Sequence, residues 1–217
     1  MSEVLTSGSH NCATMNQVPS DVKGQSPLHH TNLTPKPSLR DGQAGVFFAE
    51  KALLGHLTLR GQQNNARFMG ACESALGVAL PTQPLTSVEN GDLSVRWIGP
   101  DEWLVVLPND RAHSVEEAIR QQSEGHYSVV NGSGGQTVFE LSGPDALRVM
   151  QKSAPVDLHI DAFPVGKVVS TLFAKSSAVI RRTGEDQFEL VVRRSFSDYL
   201  WRWIQTASQE YGLVVRA

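Results

Sequence analysis

The chain has 217 residues, long enough to bury a real core in one large domain or two small ones. Hydrophobic residues make up 40% and charged residues 19%, an ordinary globular balance. The net charge is -3, with 19 Lys and Arg scattered among 22 acids, so the concentrated positive field that nucleic-acid binding needs is missing.

Two cysteines, Cys12 and Cys72, give neither a disulfide framework nor a zinc spacing. The start, Met1-Ser2-Glu3-Val4, lacks a basic region followed by an apolar run, and no stretch approaches the roughly 18 apolar residues of a membrane span. The expected compartment is the cytoplasm. Residues 1–40 are rich in Ser, Thr, Asn, Pro and His and lack apolar periodicity. They read as a polar arm, disordered or ordered on a partner, because such a segment buries too little surface to offset its ordering entropy.

From Gly45 onward, apolar runs alternate with helical stripes. Leu57-Thr-Leu-Arg-Gly61 resembles Phe139-Glu-Leu-Ser-Gly143, each a short strand ending in Gly before a helical pattern. In the first helix Cys72 joins Phe68, Ala71, Ala75 and Leu76 on one stripe and reads as a buried small hydrophobe. Gly99-Pro100-Asp101-Glu102 and Gly184-Glu185-Asp186-Gln187 read as hairpin turns. Helices are expected over 114–122 and 197–209, with closing strands at 127–130 and 213–215. Each half then runs strand, helix, strand, strand, helix, strand. The expected fold class is α+β: two ferredoxin-like split βαβ units related by internal duplication. The halves are residues 41–130 and 131–217.

The last helix presents Phe196, Tyr199, Leu200, Trp203, Ile204 and Ala207 on one apolar face, with Ser195 or Ser197 as N-cap. Trp201 lies about 100° away, so it is expected to point outward and to contact a partner. The pairs Arg181-Arg182 and Arg193-Arg194 read as solvated faces.

Chemistry is sparse. The run Asn131-Gly-Ser-Gly-Gly135 leads into a strand, which is wrong for a phosphate loop or a nucleophile elbow, and reads as a flexible connection. None of the seven histidines (His10, His29, His30, His56, His113, His126 and His159) has ligand spacing. Asp101-Glu102 and Glu185-Asp186 occupy turns that favour acids for local reasons. Asp157 and His159 with Ser153 or Ser170 can be imagined as a hydrolytic triad, but the sequence supplies no geometry for one.

Three stretches carry a family likeness. They are Trp97-Ile-Gly-Pro-Asp-Glu-Trp-Leu104; Pro155-Val-Asp-Leu-His159 followed by Phe163-Pro-Val-Gly166; and Arg194-Ser-Phe-Ser-Asp-Tyr-Leu-Trp-Arg-Trp203. Together with Ser26-Pro27-Leu28 they resemble gamma subunits of heterotetrameric sarcosine oxidase, and the likeness runs from about residue 26 to the C-terminus. The resemblance implies a fold related to the folate-binding aminomethyltransferase of the glycine cleavage system. It also implies a non-catalytic subunit that works with alpha, beta and delta chains. That enzyme oxidatively demethylates sarcosine to glycine, yielding hydrogen peroxide and 5,10-methylenetetrahydrofolate. FAD, FMN, NAD, tetrahydrofolate and zinc are expected in the partner chains and none in this one. The "KGCYxGQE" motif of a folate-binding relative is absent, since Lys23-Gly24 is followed by no Cys. No catalytic, cofactor-binding or metal residue carries over. Trp201, Pro27 and Leu28 are the partner-contact candidates. The alternative is a stand-alone folate-binding or aminomethyltransferase-like protein, with Asp157 or the Asn131 region meeting the pterin.

Overall fold

The computed structural model describes residues 24–31 and 44–216. Most of the predicted polar arm, Cys12 included, lies outside the described residues.

In chain order the elements are β1 (Val46–Lys51), β2 (Leu54–Gly61), α1 (Ala66–Leu76), β3 (Ser87–Asn90), β4 (Leu93–Gly99), β5 (Glu102–Pro108), α2 (Asn109–Gln122), β6 (Tyr127–Asn131), β7 (Gln136–Ser142), α3 (Ala146–Ser153), β8 (Val168–Phe173), β9 (Ser176–Gly184), β10 (Gln187–Arg193), α4 (Ser197–Ala207) and β11 (Leu213–Val215). One sheet has the order β3-β4-β5-β2-β6 and the other β11-β1-β7-β10-β9-β8. The split βαβ order appears in both. In the first sheet the unit's fourth strand, β6, pairs antiparallel with its first, β2. In the second sheet β1 wedges between β11 and β7, parallel to one and antiparallel to the other. An early strand therefore completes the later sheet.

Alternation along β5 shows how the layers form. Trp103, Val105 and Leu107 face α1 and α2 with Phe68, Cys72, Leu76 and Ile119. Leu104 and Val106 face the other sheet, meeting Val138 and Val191. In β10, Phe188, Leu190 and Val192 join α3 and α4 in the largest core. The result is four layers: helices, sheet, sheet, helices. At one rim the sheets are stitched together, with Val168 N donating to Leu85 O at 2.9 Å and Ser87 N to Gly166 O at 3.1 Å.

Gly61, which ends β2, and Gly143, in the turn between β7 and α3, serve close approach. A Cβ on Gly61 would stand 2.6 Å from the Phe68 ring, and one on Gly143, at φ +110°, would stand 2.7 Å from Gly45 O. Both hairpin turns follow the sequence reading, and both show a register shift where strand meets turn.

Three local expectations are corrected. Helix α2 starts at Asn109, five residues ahead of the predicted Ser114, because Pro108 supplies an extended lead-in. Neither Ser195 nor Ser197 caps α4: a 3-10 turn over Arg194–Phe196 precedes it, and Phe196 holds the cap position. Arg181 and Arg182 are buried, while Arg193 and Arg194 are exposed as expected. Arg182 faces the helical layer and donates to the carbonyls of Leu158 and Phe163 at 3.0 Å, satisfying loop backbone that would otherwise be orphaned.

Candidate functional site

The densest polar constellation lies between the two sheets. It contains Glu189 on β10, which points away from the Phe188 and Leu190 side and toward the neighbouring sheet. Lys51 Nζ on β1 donates to Glu189 Oε1 at 2.6 Å, and Arg96 Nη2 on β4 donates to Oε2. Arg181 Nη1 on β9 lies 3.5 Å from Oε2. The ring of partners continues outward. Lys51 reaches Glu140 at 2.9 Å, Arg181 pairs with Glu89, and Arg181 Nε donates to Ser87 Oγ at 2.9 Å.

Burial works against the charge on Glu189. The Arg96 charge and the hydrogen bond and charge of Lys51 overcome it and hold the carboxyl below its usual range. Burial likewise pulls against the charge on Lys51, yet Glu189 and Glu140 leave it above its usual value. A pocket of about 320 Å³ opens beside the cluster, with Lys51, Glu89, Ser94, Arg96, Arg181 and Glu189 in its lining. The cationic donors are largely turned to protein carboxylates instead of to that opening. What the arrangement does chemically is tie β4 of one sheet to β9 and β10 of the other.

His56 on β2 belongs to the same interior and is 1% exposed. In register it faces Val106, which in turn faces Ser94. Burial and the nearby Arg96 charge push its pKa down to about 4, against a weaker raising effect from the Leu54 backbone, so the ring is neutral at neutral pH. Nothing local marks this position, because a single histidine among apolar strand residues has no spacing to read.

The partner-contact candidates resolve differently from expectation. Trp201 is 3% exposed and packs on Phe48 of β1, ring centroids 4.7 Å apart. It is a core residue, and the expectation of an outward Trp201 fails. Leu28 is 1% exposed within the same core, so it too is sequestered by its own chain, while Pro27 is half-buried beside it. The segment is held by Arg194, whose Nη2 donates to Gln25 O at 3.2 Å, and by His30 at 3.7 Å from Asp198. The exposed aromatics of α4 and its lead-in are instead Phe196 and Tyr199.

The imagined triad is not assembled. Ser153 Oγ donates to Val149 O at 2.7 Å and accepts from Trp203 Nε1 at 2.9 Å. His159 is exposed and lies 3.4 Å from Asp161, Asp157 accepts from the His159 backbone N–H at 2.9 Å, and Ser170 is exposed on β8. The Gly-rich run is tied down, contrary to the loose connection expected. His56 N donates to Ser133 Oγ at 3.1 Å, Gly132 N donates to His56 O at 2.8 Å, and Ser133 Oγ donates to Asn131 Oδ1 at 2.6 Å. Asn131 is thereby engaged by its own turn. Cys72 is buried and its thiol is pushed up to about 12. Among the described residues, no three or more His, Cys, Asp or Glu gather as a metal site. No helix among them is long and apolar enough to cross a membrane.

The model of the "Sarcosine oxidase, gamma subunit family" matches residues 60–210. The chain belongs to that family. It is 34% identical over 170 residues to a sarcosine oxidase subunit gamma from Corynebacterium sp. (strain P-1), covering 77% of this chain and 82% of that one. Among solved structures, it matches the heterotetrameric sarcosine oxidase from Corynebacterium sp. U-96 in complex with pyrrole 2-carboxylate. The TM-score is 0.77 at 26% identity, over 89% of this chain and 99% of that one. The glycine cleavage system aminomethyltransferase T from Bartonella henselae shares the fold, with a TM-score of 0.62 at 15% identity, over 87% of this chain and 58% of that one. For a member of the gamma-subunit family, the interior cluster is therefore best described as structural: its charges neutralise one another across the two sheets.

Proposed function

We propose that this chain is a non-catalytic structural subunit of a heterotetrameric sarcosine oxidase. The observation that carries the reading is the match to a chain of that assembly, which covers 89% of this chain and 99% of the other. Supporting it, the most concentrated charges of the interior, Lys51, Arg96, Arg181 and Glu189, are consumed in mutual pairing. The partners would be alpha, beta and delta chains carrying FAD, FMN, NAD, tetrahydrofolate and zinc, and the assembly would work in the cytoplasm. The complex would convert sarcosine to glycine with formation of hydrogen peroxide and 5,10-methylenetetrahydrofolate. We also read residues 41–130 and 131–217 as the two duplicated units, with β1 exchanged into the second sheet.

Co-expression of this chain with the three other subunits, tagged on this chain alone, tests the proposal. A yellow, flavin-containing complex that oxidises sarcosine is the expected product. Recovery of the tagged chain by itself from that co-expression would overturn the reading. So would micromolar binding of tetrahydrofolate by the lone chain, which belongs to the folate-binding alternative.

A further inference from the structure

Among the described residues eight buried side-chain polar atoms lack a hydrogen-bond partner, and three of them belong to just two residues, His56 and Arg96. Neither ring nitrogen of His56 nor Nη1 of Arg96 has a partner of good hydrogen-bond geometry among the described residues, although each residue is 1% exposed; the Leu54 backbone is the one group near enough to His56 to act on its ring. Orphans of this kind are uncommon in folded proteins, because a buried polar group without a partner forfeits its hydration with nothing in return. Here those of His56 and Arg96 share one region. His56 and Arg96 project from β2 and β4 on the same face of one sheet, with Val106 and Leu104 of β5 between them in register. Their chemistry is complementary. Arg96 Nη1 can only donate, and a neutral imidazole always keeps one ring nitrogen as an acceptor.

Arg96 has little freedom to turn and meet His56 directly. Nη2 is committed to Glu189, and Nε lies 3.4 Å from Ser94 Oγ. A molecule that accepts from Nη1 and donates to the imidazole would satisfy both. Water does this, and a buried water characteristically serves two to four such partners. A route for its exchange exists too, since Leu54, Ser94, Val106 and Arg96 line the pocket that opens beside the cluster.

We propose that a single internal water is bound between His56 and Arg96. It accepts from Arg96 Nη1 and donates to a ring nitrogen of His56, completing the polar seam that joins the two sheets. The site is independent of whatever partners the chain has. It gives His56 a role that the family likeness does not assign.

The test is a crystal structure of the full chain, alone or in its complex, at a resolution that shows ordered water, for the wild type and for His56→Phe. Wild-type density for one water within about 3.2 Å of both Arg96 Nη1 and a His56 nitrogen is expected. In His56→Phe that peak should disappear while the Arg96–Glu189 pair stays in place. No peak, a direct His56–Arg96 hydrogen bond, or a peak unchanged in His56→Phe would each overturn the proposal. Should the variant fail to fold, the wild-type density decides alone.

Discussion

Glu189 is paired with cations on three strands, β1, β4 and β9, two of them in its own sheet and one in the other. Removing its charge would leave Arg96 buried without its counter-ion, which is the costly way to break such a cluster. Glu189→Gln is therefore expected to destabilise the chain by about 3 kcal/mol, read by urea unfolding at pH 7. A change under 1 kcal/mol would mean that the cluster is solvated and the sheets are held by their apolar contacts alone. Because the folded carboxyl titrates below its usual range, this contribution is present above the ordinary carboxylate pKa and is lost as pH falls through the folded value. His56 adds a second slope at higher pH. Between about 6.5 and about 4 the unfolded ring binds a proton that the folded ring refuses, so stability falls as pH is lowered through that window. The full effect is about 3 kcal/mol, and it should vanish from the pH dependence of His56→Phe.

The elements show how much of this was legible. The helix α4 and its place after the β9–β10 hairpin followed from periodicity, but its inward face did not. Two stripes run along it with nearly equal claims. Phe196, Tyr199 and Trp203 belong to one, and Ser197 and Trp201 to the other, with Leu200, Ile204 and Ala207 common to both. The second stripe wins because β1 delivers Phe48 under Trp201, and because the Trp203 N–H finds Ser153 at the edge of the core. Neither partner is near in sequence, so no window of the helix could reveal them. Leu28 was hidden for a similar reason. It is one apolar residue in a polar leader, and most of the core it joins, from Phe139 to Leu213, lies more than a hundred residues further along the chain. Trp201→Ala is expected to destabilise the isolated chain by about 3–5 kcal/mol, the range for emptying a large core site. A true interface residue would leave the isolated chain's unfolding midpoint unchanged. Leu28→Ala should cost less, about 2 kcal/mol, because the short segment can peel away and let the site partly close.

At the scale of the whole molecule, the alternation of strands and helices was enough to yield the split βαβ order of both sheets. What it could not yield was the exchange of β1. Val46–Lys51 opens the first of the two proposed units, yet it pairs with Leu213–Val215 and with Gln136–Ser142 of the second. Only the long-range pairing decides which sheet an isolated strand joins, and the hexapeptide Val46–Lys51 does not encode that pairing locally. The exchange makes the second unit dependent on the start of the first. A fragment of residues 131–217 would leave facing edges of β7 and β11 unpaired and would strip Phe48 from beneath Trp201 and Phe139. That fragment should show no cooperative thermal unfolding by circular dichroism. Supplying residues 44–53, fused by a flexible linker or added as a peptide, should restore a transition. If residues 131–217 alone unfold cooperatively with a midpoint within a few degrees of the fused form, β1 is a passive lining. The two units would then be autonomous, joined through the polar seam and not by an exchanged strand.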